Sequence, residues 1–276
     1  MSNLSKEDWT SLCPELTIEA ANTLPQIDFT DDRLDDIARG VWGNGFIHEK
    51  PVFSQEQLQP LLKALTLLQA KGIPPVYLYV FDQPWYLFKQ LNQLIAHFLG
   101  DEYALLPNLW AWYFDAPGER GWRPHQDCHL ETVFDLGGDK MLMSLSLWIP
   151  LTDCTEENGC MFVLPRDKEH VLQDNPDMEQ ALLEPYAQSL PAAAGSVLGW
   201  PQDLVHWGGT FKEGAALSRA SLSLEFQNTA FDPLVAPFLD AGAPPVFQER
   251  LGLIQRQYEK YKHIVSENEV RFFAEK

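Results

Sequence analysis

The sequence predicts a mainly β domain with helices flanking the strands. Strand-like segments, rich in aromatic and aliphatic residues, are concentrated in residues 103–229. Segments in which apolar residues recur every three or four positions, as in an amphipathic helix, lie before and after that region. The chain of 276 residues is 45% hydrophobic and 12% aromatic. That composition supplies a large core and excludes a disordered chain.

One domain is expected over residues 1–276, because the chain contains no internal repeat, low-complexity stretch or linker. Within it we expect an N-terminal extension over 1–44 and a strand-rich core with inserted helices over 45–229. A helical C-terminal tail is expected over 230–276.

Two helices are predicted before the main group of strands. Residues 31–39 place acidic side chains at the start of a first helix, and Gly40 stands where helices commonly end. A longer helix begins at Ser54, or has Pro60 in its first turn, and is closed by Gly72. We expect its apolar face to lie in the core, and that face consists of Leu58, Leu61, Leu62, Leu65 and Leu68.

Two further helices are predicted, one on each side of the strands. The first runs from Gln83 to Leu99, with Asp82 as its N-cap and Gly100 at its end. The second carries an apolar stripe of Phe247, Leu251, Ile254, Tyr258, Tyr261 and Val265. This stripe either packs against the outside of the β core or forms a dimer contact, so a monomer and a homodimer both remain open.

The strand-like segments follow one another in the second half of the chain. Residues 109–114, 142–150 and 219–227 have the alternating or aromatic composition of strands. Shorter segments over 157–165 and 194–200 lie between them. Polar residues that can bind a metal ion stand close to the ends of these segments.

A candidate metal site is formed by His125-Gln126-Asp127 together with His206. In an extended strand, side chains two residues apart point to the same side, so His125 and Asp127 can reach one ion. His206 can complete the set from a second strand. Two imidazoles and one carboxylate on one face of an octahedron leave three positions open, which is the arrangement of non-haem Fe(II) oxygenases.

A candidate anion site is formed by Arg219 and Ser221, which have the same two-residue spacing. The spacing places a guanidinium and a hydroxyl on one face of the last strand. The planar fork of arginine matches a carboxylate in bidentate geometry. We therefore expect this pair to bind a carboxylate.

Taken in order, these motifs resemble the phytanoyl-CoA dioxygenase-like family of Fe(II)/2-oxoglutarate-dependent oxygenases. The resemblance runs from Gly45-Phe46-Ile47, which looks like the opening strand of the family, to Gln227. It implies a double-stranded β-helix, the jelly roll also found in cupins, with helices packed outside it. It also implies that residues 45–229 hold the jelly-roll core of an oxygenase domain.

The resemblance implies a role for each motif residue. His125, Asp127 and His206 would bind Fe(II), Arg219 would bind the distal carboxylate of 2-oxoglutarate, and Ser221 would assist it. The implied activity is a dioxygenase that uses O₂, converts 2-oxoglutarate to succinate and CO₂, and hydroxylates a small-molecule substrate. Halogenating relatives have a small residue in place of the carboxylate ligand, so the presence of Asp127 favours hydroxylation.

Three alternatives are compatible with parts of this pattern. The same iron site can support desaturation, ring closure or epimerisation. A cupin-like jelly roll can bind a metal or ligand without catalysis, and a zinc hydrolase can use the same ligands. The last two leave Arg219 and Ser221 unexplained, which favours the oxygenase.

Other residues near the motifs have two interpretations each. We interpret His129 as a pocket residue or as one that supports the ligands, because four protein ligands would leave too little room for cosubstrate and O₂. Arg123 either binds a substrate carboxylate or forms an ion pair on the protein surface.

The remaining histidines and tryptophans have no assigned role in the chemistry. The family's usual Pro-Gly-Ser-His segment reads Pro165 to His170 here, so His170 has no implied role. His48, His97 and His263 are interpreted as structural or exposed. Most of the tryptophans near the site are expected in the core, with one or two lining a pocket: Trp110, Trp112, Trp148, Trp200 and Trp207.

The net charge of −19, from 20 basic and 39 acidic residues, excludes several classes of partner. Binding of nucleic acid or of anionic lipid requires clustered Lys and Arg. The negative field also repels a polyanion such as an acyl-CoA ester, unless a local cluster of Arg120, Arg123 and Lys140 opposes it. The acidity can equally serve solubility alone. We expect a small polar substrate that is neutral, zwitterionic or cationic, with no nucleic acid and no membrane as partner.

The sequence predicts a cytoplasmic protein. The polar N-terminus lacks the apolar segment of a signal peptide, and no apolar run approaches the length of a membrane span. Cys13, Cys128, Cys154 and Cys160 have no zinc-binding spacing. We expect free thiols in a reducing compartment.

Overall fold

The strands of the core form two antiparallel sheets and one hairpin in the computed structural model, which describes residues 4–21 and 24–261. Five strands pair in the order β1-β8-β5-β10-β2, three pair in the order β7-β6-β9, and β3 pairs with β4. Their bounds are β1 Ile47–Glu49, β2 Tyr103–Phe114, β3 Val133–Leu136, β4 Asp139–Leu142, β5 Ser144–Pro150, β6 Met161–Val163, β7 Gln188–Leu190, β8 Val197–Pro201, β9 His206–Gly208 and β10 Arg219–Asn228. The prediction of β-sheets with flanking helices is confirmed.

The helices pack outside the sheets. Their bounds are α1 Lys6–Leu12, α2 Asp31–Asn44, α3 Gln55–Ala70, α4 Gln83–Lys89, α5 Asn92–Leu99, α6 Gln180–Leu183 and α7 Phe247–Tyr261. In α3, Ser54 and Gln57 cap each other, as expected for a helix that begins after Ser54. Its predicted leucine stripe faces the core, with Leu58 and Leu65 fully buried. None of the helices within the described ranges is long and apolar enough to cross a membrane.

The predicted end of α2 at Gly40 is wrong. The helix continues to Asn44 and ends at Gly45, whose φ of 95° is readily adopted only by glycine. A Cβ atom at Gly45 would lie 2.8 Å from side-chain atoms of both Arg166 and Leu204. A residue with a side chain therefore could not replace Gly45 at this helix end without displacing Arg166 and Leu204.

The predicted helix over 83–99 is two helices, α4 and α5, separated at Gln90 and Leu91. The carbonyl of Gln90 accepts a hydrogen bond from the backbone N–H of Ile27, which draws it towards the N-terminal segment. Asp82 does not cap α4 with its side chain. Its carboxylate is instead buried against Arg250 of α7, so a tertiary ion pair overrides the predicted N-cap.

The central strand β10 separates the hydrophobic core from the candidate site. It pairs with β2 on one side and β5 on the other. One face carries Ala220, Leu222, Leu224 and Phe226, which belong to the main hydrophobic cluster with buried residues of α2, α3, α4, α5 and α7. Three polar residues of the opposite face, Arg219, Ser223 and Glu225, line a cavity. The alternation of a strand therefore places the polar residues together.

The C-terminal helix α7 packs against the core, which is the first of the two interpretations given for its apolar stripe. Phe247, Ile254 and Tyr258 of its stripe are buried. The side-chain amide nitrogen Nε2 of Gln257 donates a hydrogen bond to the carbonyl of Pro107 over 2.8 Å. This bond connects the helix to β2. Val265 and His263 lie outside the described residues.

Candidate metal centre

His125 and His206 face each other across a short antiparallel bridge. The backbone N–H of His125 donates to the carbonyl of His206 over 3.1 Å, and the N–H of His206 donates to the carbonyl of His125 over 3.0 Å. Residues paired in this way project their side chains on the same face. The two imidazole rings consequently lie with their centroids 4.3 Å apart.

The close contact between two glycines permits this bridge. A Cβ atom on either Gly121 or Gly208 would lie 2.7 Å from the Cα atom of the other. The N–H of Gly208 donates to the carbonyl of Trp122 over 3.2 Å. The predicted strand around His125 is wrong in one respect, because the backbone over 121–130 forms an isolated bridge at His125 and is otherwise irregular.

Asp127 completes a cluster with the two histidines. Its Oδ1 lies 3.4 Å from Nε2 of His125, and its Oδ2 lies 3.7 Å from Nε2 of His206. One donor atom from each residue lies within 4.8 Å of the others. Oδ2 accepts hydrogen bonds from Oγ of Ser146 over 2.7 Å and from Nε1 of Trp200 over 3.4 Å. The structure thus brings the three predicted metal ligands together.

Backbone carbonyls orient both imidazoles towards the cluster. Nδ1 of His125 donates to the carbonyl of Arg123 over 2.8 Å, and Nδ1 of His206 donates to that of Leu204 over 3.0 Å. A carbonyl can only accept, so each ring keeps its Nε2 lone pair for the centre of the cluster. Nε2 of His125 is buried without a hydrogen-bond partner among the described residues. An orphaned buried nitrogen costs roughly 1–3 kcal/mol, and a bound metal ion would supply its partner. The donor set therefore fits Fe(II).

The charges of the cluster suit a divalent cation. Burial acts to raise the pKa of Asp127, but His206, His125 and Ser146 more than offset it and hold that pKa well below its usual range. Burial lowers the pKa of His206 to about 4. Burial also opposes protonation of His125, but its contacts with Asp127 raise its pKa above the ordinary value. At neutral pH the cluster therefore holds an ionised carboxylate and a neutral His206, the forms that bind metals.

Arg219 is a fully buried cation without an anionic partner among the described residues. Its guanidinium carbon lies 4.8 Å from the ring centroid of Phe114 and 5.1 Å from that of Trp148. Nη2 contacts Sδ of Met161, whereas Nε and Nη1 have no hydrogen-bond partner in the described part of the chain. Burial lowers the pKa of Arg219 to about 10, so it stays charged at neutral pH. A carboxylate from a ligand would satisfy these donors.

Ser221 lies on β10 two residues after Arg219, as the spacing predicted. Its hydroxyl is buried and has no hydrogen-bond partner among the described residues. Arg219 lines the cavity beside the cluster, but Ser221 is not among the residues that line it. The structure therefore places Arg219, and not Ser221, directly on the space next to the candidate metal ligands.

The cluster lies between a narrow inner cavity and a wide outer cleft. The inner cavity has a volume of about 40 Å³ and is lined by the cluster and Arg219. Four of the five tryptophans named from the sequence also line it, not the one or two expected: Trp110, Trp112, Trp148 and Trp200. Trp207, the fifth, is buried elsewhere and stacks on Phe162. The outer cleft has a volume of about 690 Å³, and Trp122 and Tyr261 line both spaces. Their ring centroids lie 4.6 Å apart, in the wall that the two spaces share.

Glu225 is a site residue that the motif search did not find. It lines both the inner cavity and the outer cleft. Burial, and secondarily the charge of Asp127, raise its pKa to about 7. The signal was present in the sequence, because Glu225 continues the two-residue rhythm of Arg219 and Ser221 along one strand.

The other candidate residues are not part of the cluster. His129 is exposed and contacts the side chain of Gln126, so its interpretation as a pocket residue is wrong. Arg123 and Arg120 line the outer cleft, whereas Lys140 lies over the ring of Trp42. The four cysteines are free, and all except Cys128 are buried.

Comparison with known proteins agrees with this architecture. The sequence profile of the family described as Phytanoyl-CoA dioxygenase (PhyH) matches residues 75–215, just over half of the chain. None of the curated proteins matches the chain significantly in sequence.

Several solved structures share the fold. The non-haem α-ketoglutarate-dependent epimerase SnoN from nogalamycin biosynthesis is 18% identical, with 79% of this chain and 97% of SnoN covered at a TM-score of 0.51. The nickel complex of the non-haem monooxygenase ThoJ is 16% identical, with 83% and 98% covered at a TM-score of 0.56. HygX from Streptomyces hygroscopicus with nickel and 2-oxoglutarate bound is 12% identical, with 74% and 89% covered at a TM-score of 0.53. The predicted double-stranded β-helix is confirmed by these likenesses.

Proposed function

The chain belongs to the phytanoyl-CoA dioxygenase family of Fe/2-oxoglutarate-dependent oxygenases, and we propose that it hydroxylates a small polar metabolite. In this proposal His125, Asp127 and His206 bind Fe(II), and Arg219 binds the distal carboxylate of 2-oxoglutarate with Ser221 in support. Succinate and CO₂ are the coproducts.

One observation carries the proposal. Two kinds of buried nitrogen without a hydrogen-bond partner among the described residues line the same cavity: Nε2 of His125, which carries a lone pair, and the N–H donors Nε and Nη1 of Arg219. The first requires a metal ion or a proton donor, and the second requires an anion. A metal together with a dicarboxylate cosubstrate would satisfy both. A jelly roll that only bound a metal would leave Arg219 as a buried, unpaired charge, which is costly.

The protein residues have three tasks in this reaction. The bound iron would supply the activation of O₂ and the oxidative decarboxylation of 2-oxoglutarate. Three protein ligands leave coordination positions open, and Ser146 holds the carboxylate of Asp127 in its orientation. The fork of Arg219 would orient the cosubstrate by its remote carboxylate.

Exclusion of water is the third task. The walls of the inner cavity include five tryptophans, and Trp122 and Tyr261 line both this cavity and the outer cleft. A dry cavity strengthens the contacts to Asp127 and Arg219 and protects reactive species from side reactions. The substrate would enter through the outer cleft, where Arg120 and Arg123 lie at the wall.

We further propose that the enzyme works as one domain in the cytoplasm. The free cysteines, three of them buried, suit a reducing compartment. The strongly acidic composition favours a zwitterionic, cationic or neutral substrate over an acyl-CoA ester.

Two measurements test the function. Anaerobic addition of Fe(II) and then 2-oxoglutarate should produce an absorption difference spectrum that requires both. On exposure to O₂, a screen of amino-acid derivatives, phosphonates and acyl-CoA esters should find succinate release stimulated by a zwitterionic or cationic compound, with a product heavier by one oxygen. Failure of 2-oxoglutarate to bind would contradict the site assignment. A desaturated, cyclised or epimerised product would replace hydroxylation with another outcome of the same centre.

A further inference from the structure

Glu225 is a carboxylate beside the metal centre that the proposed reaction does not use. It lies on β10 directly opposite Ser146 of β5, and the hydroxyl of Ser146 donates to Asp127 over 2.7 Å. Glu225 lines the inner cavity and the outer cleft. Its carboxylate therefore lies where a substrate entering from the cleft would approach the metal centre.

The hydrogen bonds to Glu225 come from neutral groups. Oε2 accepts from Nδ2 of Asn108 over 2.7 Å and from Nε2 of Gln202 over 2.6 Å. Both bonds end on the same oxygen, and Oε1 accepts no hydrogen bond among the described residues. Lys260 attracts Glu225 electrostatically, but its ammonium lies over the ring of Tyr261 and forms no ion pair with Glu225 within the described residues. Glu225 is half-buried and has no ion pair among the described residues, so a cationic ligand would supply the partner that a desolvated carboxylate needs.

Polar contacts hold the carboxylate in place before any ligand arrives. Gln202 also lies 3.4 Å from the hydroxyl of Ser146, and Asn108 accepts a hydrogen bond from Gln257 of α7 over 3.3 Å. These contacts link Glu225 to β2, β5, α7 and the turn that follows β8. A group positioned in this way can recognise a ligand with little further loss of conformational entropy.

The neighbouring walls suit a cation at Glu225 and an anion farther out. Trp122 and Tyr261 stand beside it, with ring centroids 4.6 Å apart, and aromatic faces attract cations. The outer cleft is lined by basic residues, among them Arg120 and Arg123. A molecule with an amino group directed inwards and an acidic group directed outwards would match both ends.

We propose that Glu225 determines specificity by binding a protonated amino group of the substrate next to the metal centre. This inference rests on the proposed function and narrows its substrate class to small amines that also carry an acidic group. Asn108 and Gln202 act as positioning residues, because they orient the carboxylate from the side of Oε2.

A pair of matched probes tests the inference. We suggest titrating 6-aminohexanoate and its uncharged counterpart 6-hydroxyhexanoate into the anaerobic protein with Fe(II) and 2-oxoglutarate, and measuring each Kd by calorimetry. The proteins are wild type, Glu225→Gln, and Glu213→Gln as a control that removes the same charge from an exposed glutamate. Wild type and control should prefer the amine by about 10-fold or more, the scale of a charge-assisted hydrogen bond. Glu225→Gln should lose that preference through weaker binding of the amine alone.

The outcomes separate this inference from the proposed function. Equal affinity of the two probes for wild type would overturn it, as would an amine preference that persists in Glu225→Gln. The comparison of probes on wild type stands even where the variant does not fold. If 2-oxoglutarate itself fails to bind wild type, the proposed function fails and this inference fails with it. If 2-oxoglutarate binds but the amine is not preferred, only the assignment of Glu225 is wrong.

Discussion

Arg250 and Asp82 form a buried ion pair that joins the C-terminal helix to the start of α4. Nη2 of Arg250 donates to Oδ1 of Asp82 over 2.7 Å, and both side chains are almost completely inaccessible to solvent. Nη1 of Arg250 donates to the carbonyl of Val80 over 2.9 Å. Asp82 also accepts from the backbone N–H groups of Glu19 and Ala20, each over 2.8–2.9 Å. One carboxylate therefore connects the N-terminal segment, α4 and α7.

Removal of one partner of this pair is expected to destabilise the fold strongly. Arg250→Met should lower the free energy of unfolding by about 3–5 kcal/mol, because it leaves the charge of Asp82 buried and unpaired. Arg33→Met is the matched control, since the pair of Arg33 and Glu49 is partly exposed and its loss should cost about 1 kcal/mol or less. Urea unfolding followed by circular dichroism measures both. Equal losses in the free energy of unfolding in the two variants would show that the ion pair of Arg250 and Asp82 contributes no more than a surface ion pair.

The metal ligands can be tested singly. Asp127→Ala should reduce succinate formation on the order of 100-fold or more, since even residues that support metal ligands typically contribute 10–100-fold. Asp101→Ala, at an exposed aspartate, should have wild-type activity. Iron binding by spectroscopy and the melting temperature distinguish loss of the metal from loss of the fold. Full activity in Asp127→Ala would remove that residue from the site.

The carboxylate-binding role of Arg219 predicts a selective effect on the cosubstrate. Arg219→Lys should weaken 2-oxoglutarate binding by about 1.5–3 kcal/mol, because an ammonium cannot reproduce the bidentate fork. Iron affinity should change little, and Arg256→Lys, at an exposed arginine, should leave both affinities unchanged. Anaerobic titrations measure the two constants separately. An unchanged 2-oxoglutarate affinity would contradict the assignment.

Glu225 predicts a pH dependence of stability in the metal-free protein. Its folded pKa of about 7 lies above the ordinary value of 4.5, so the folded state holds a proton that the unfolded state releases. The stability that this proton contributes is complete below pH 4.5 and is lost as the pH rises through 7. Relative to Glu225→Gln, wild type should lose about 3 kcal/mol between pH 4.5 and 8. Urea unfolding of both proteins across this range measures how their free energies of unfolding change with pH. A difference between the two proteins that stays constant across the range would contradict the raised pKa of Glu225.

The contact between Gly121 and Gly208 predicts a steric effect on the site. Gly121→Ala should destabilise the fold by about 1–3 kcal/mol and lower iron affinity, because the added Cβ must displace the backbone that pairs His125 with His206. Gly43→Ala in α2 is the control, since nothing lies within 4 Å of a Cβ there. It should be neutral or slightly stabilising. Metal titration and thermal unfolding measure both effects, and a neutral Gly121→Ala would show that the backbone can move apart freely.

Local spacing alone was sufficient to predict several parts of the molecule. The leucine stripe of α3, its start after Ser54 and the long strand β10 all follow from residue periodicity and capping, which act over a few residues. The two-residue rhythm also placed Arg219 and Ser221 on one face of a strand. His125, Asp127 and His206 were recognisable because their order along the chain resembles that of a known family, and the structure brings them together.

Tertiary structure decided the remainder, because the decisive contacts join residues far apart in sequence. Asp82 is a reasonable N-cap by its local sequence, but burial against Arg250 determines its role. His125 lies in irregular backbone and faces His206 only because Gly121 and Gly208 allow the two segments to approach. Glu225 occurs in an ordinary strand sequence, and its significance depends on a cavity assembled from β2, β5, β10 and α7. Periodicity describes the neighbours of a residue along the chain, whereas its charge, burial and partners depend on which elements pack against it.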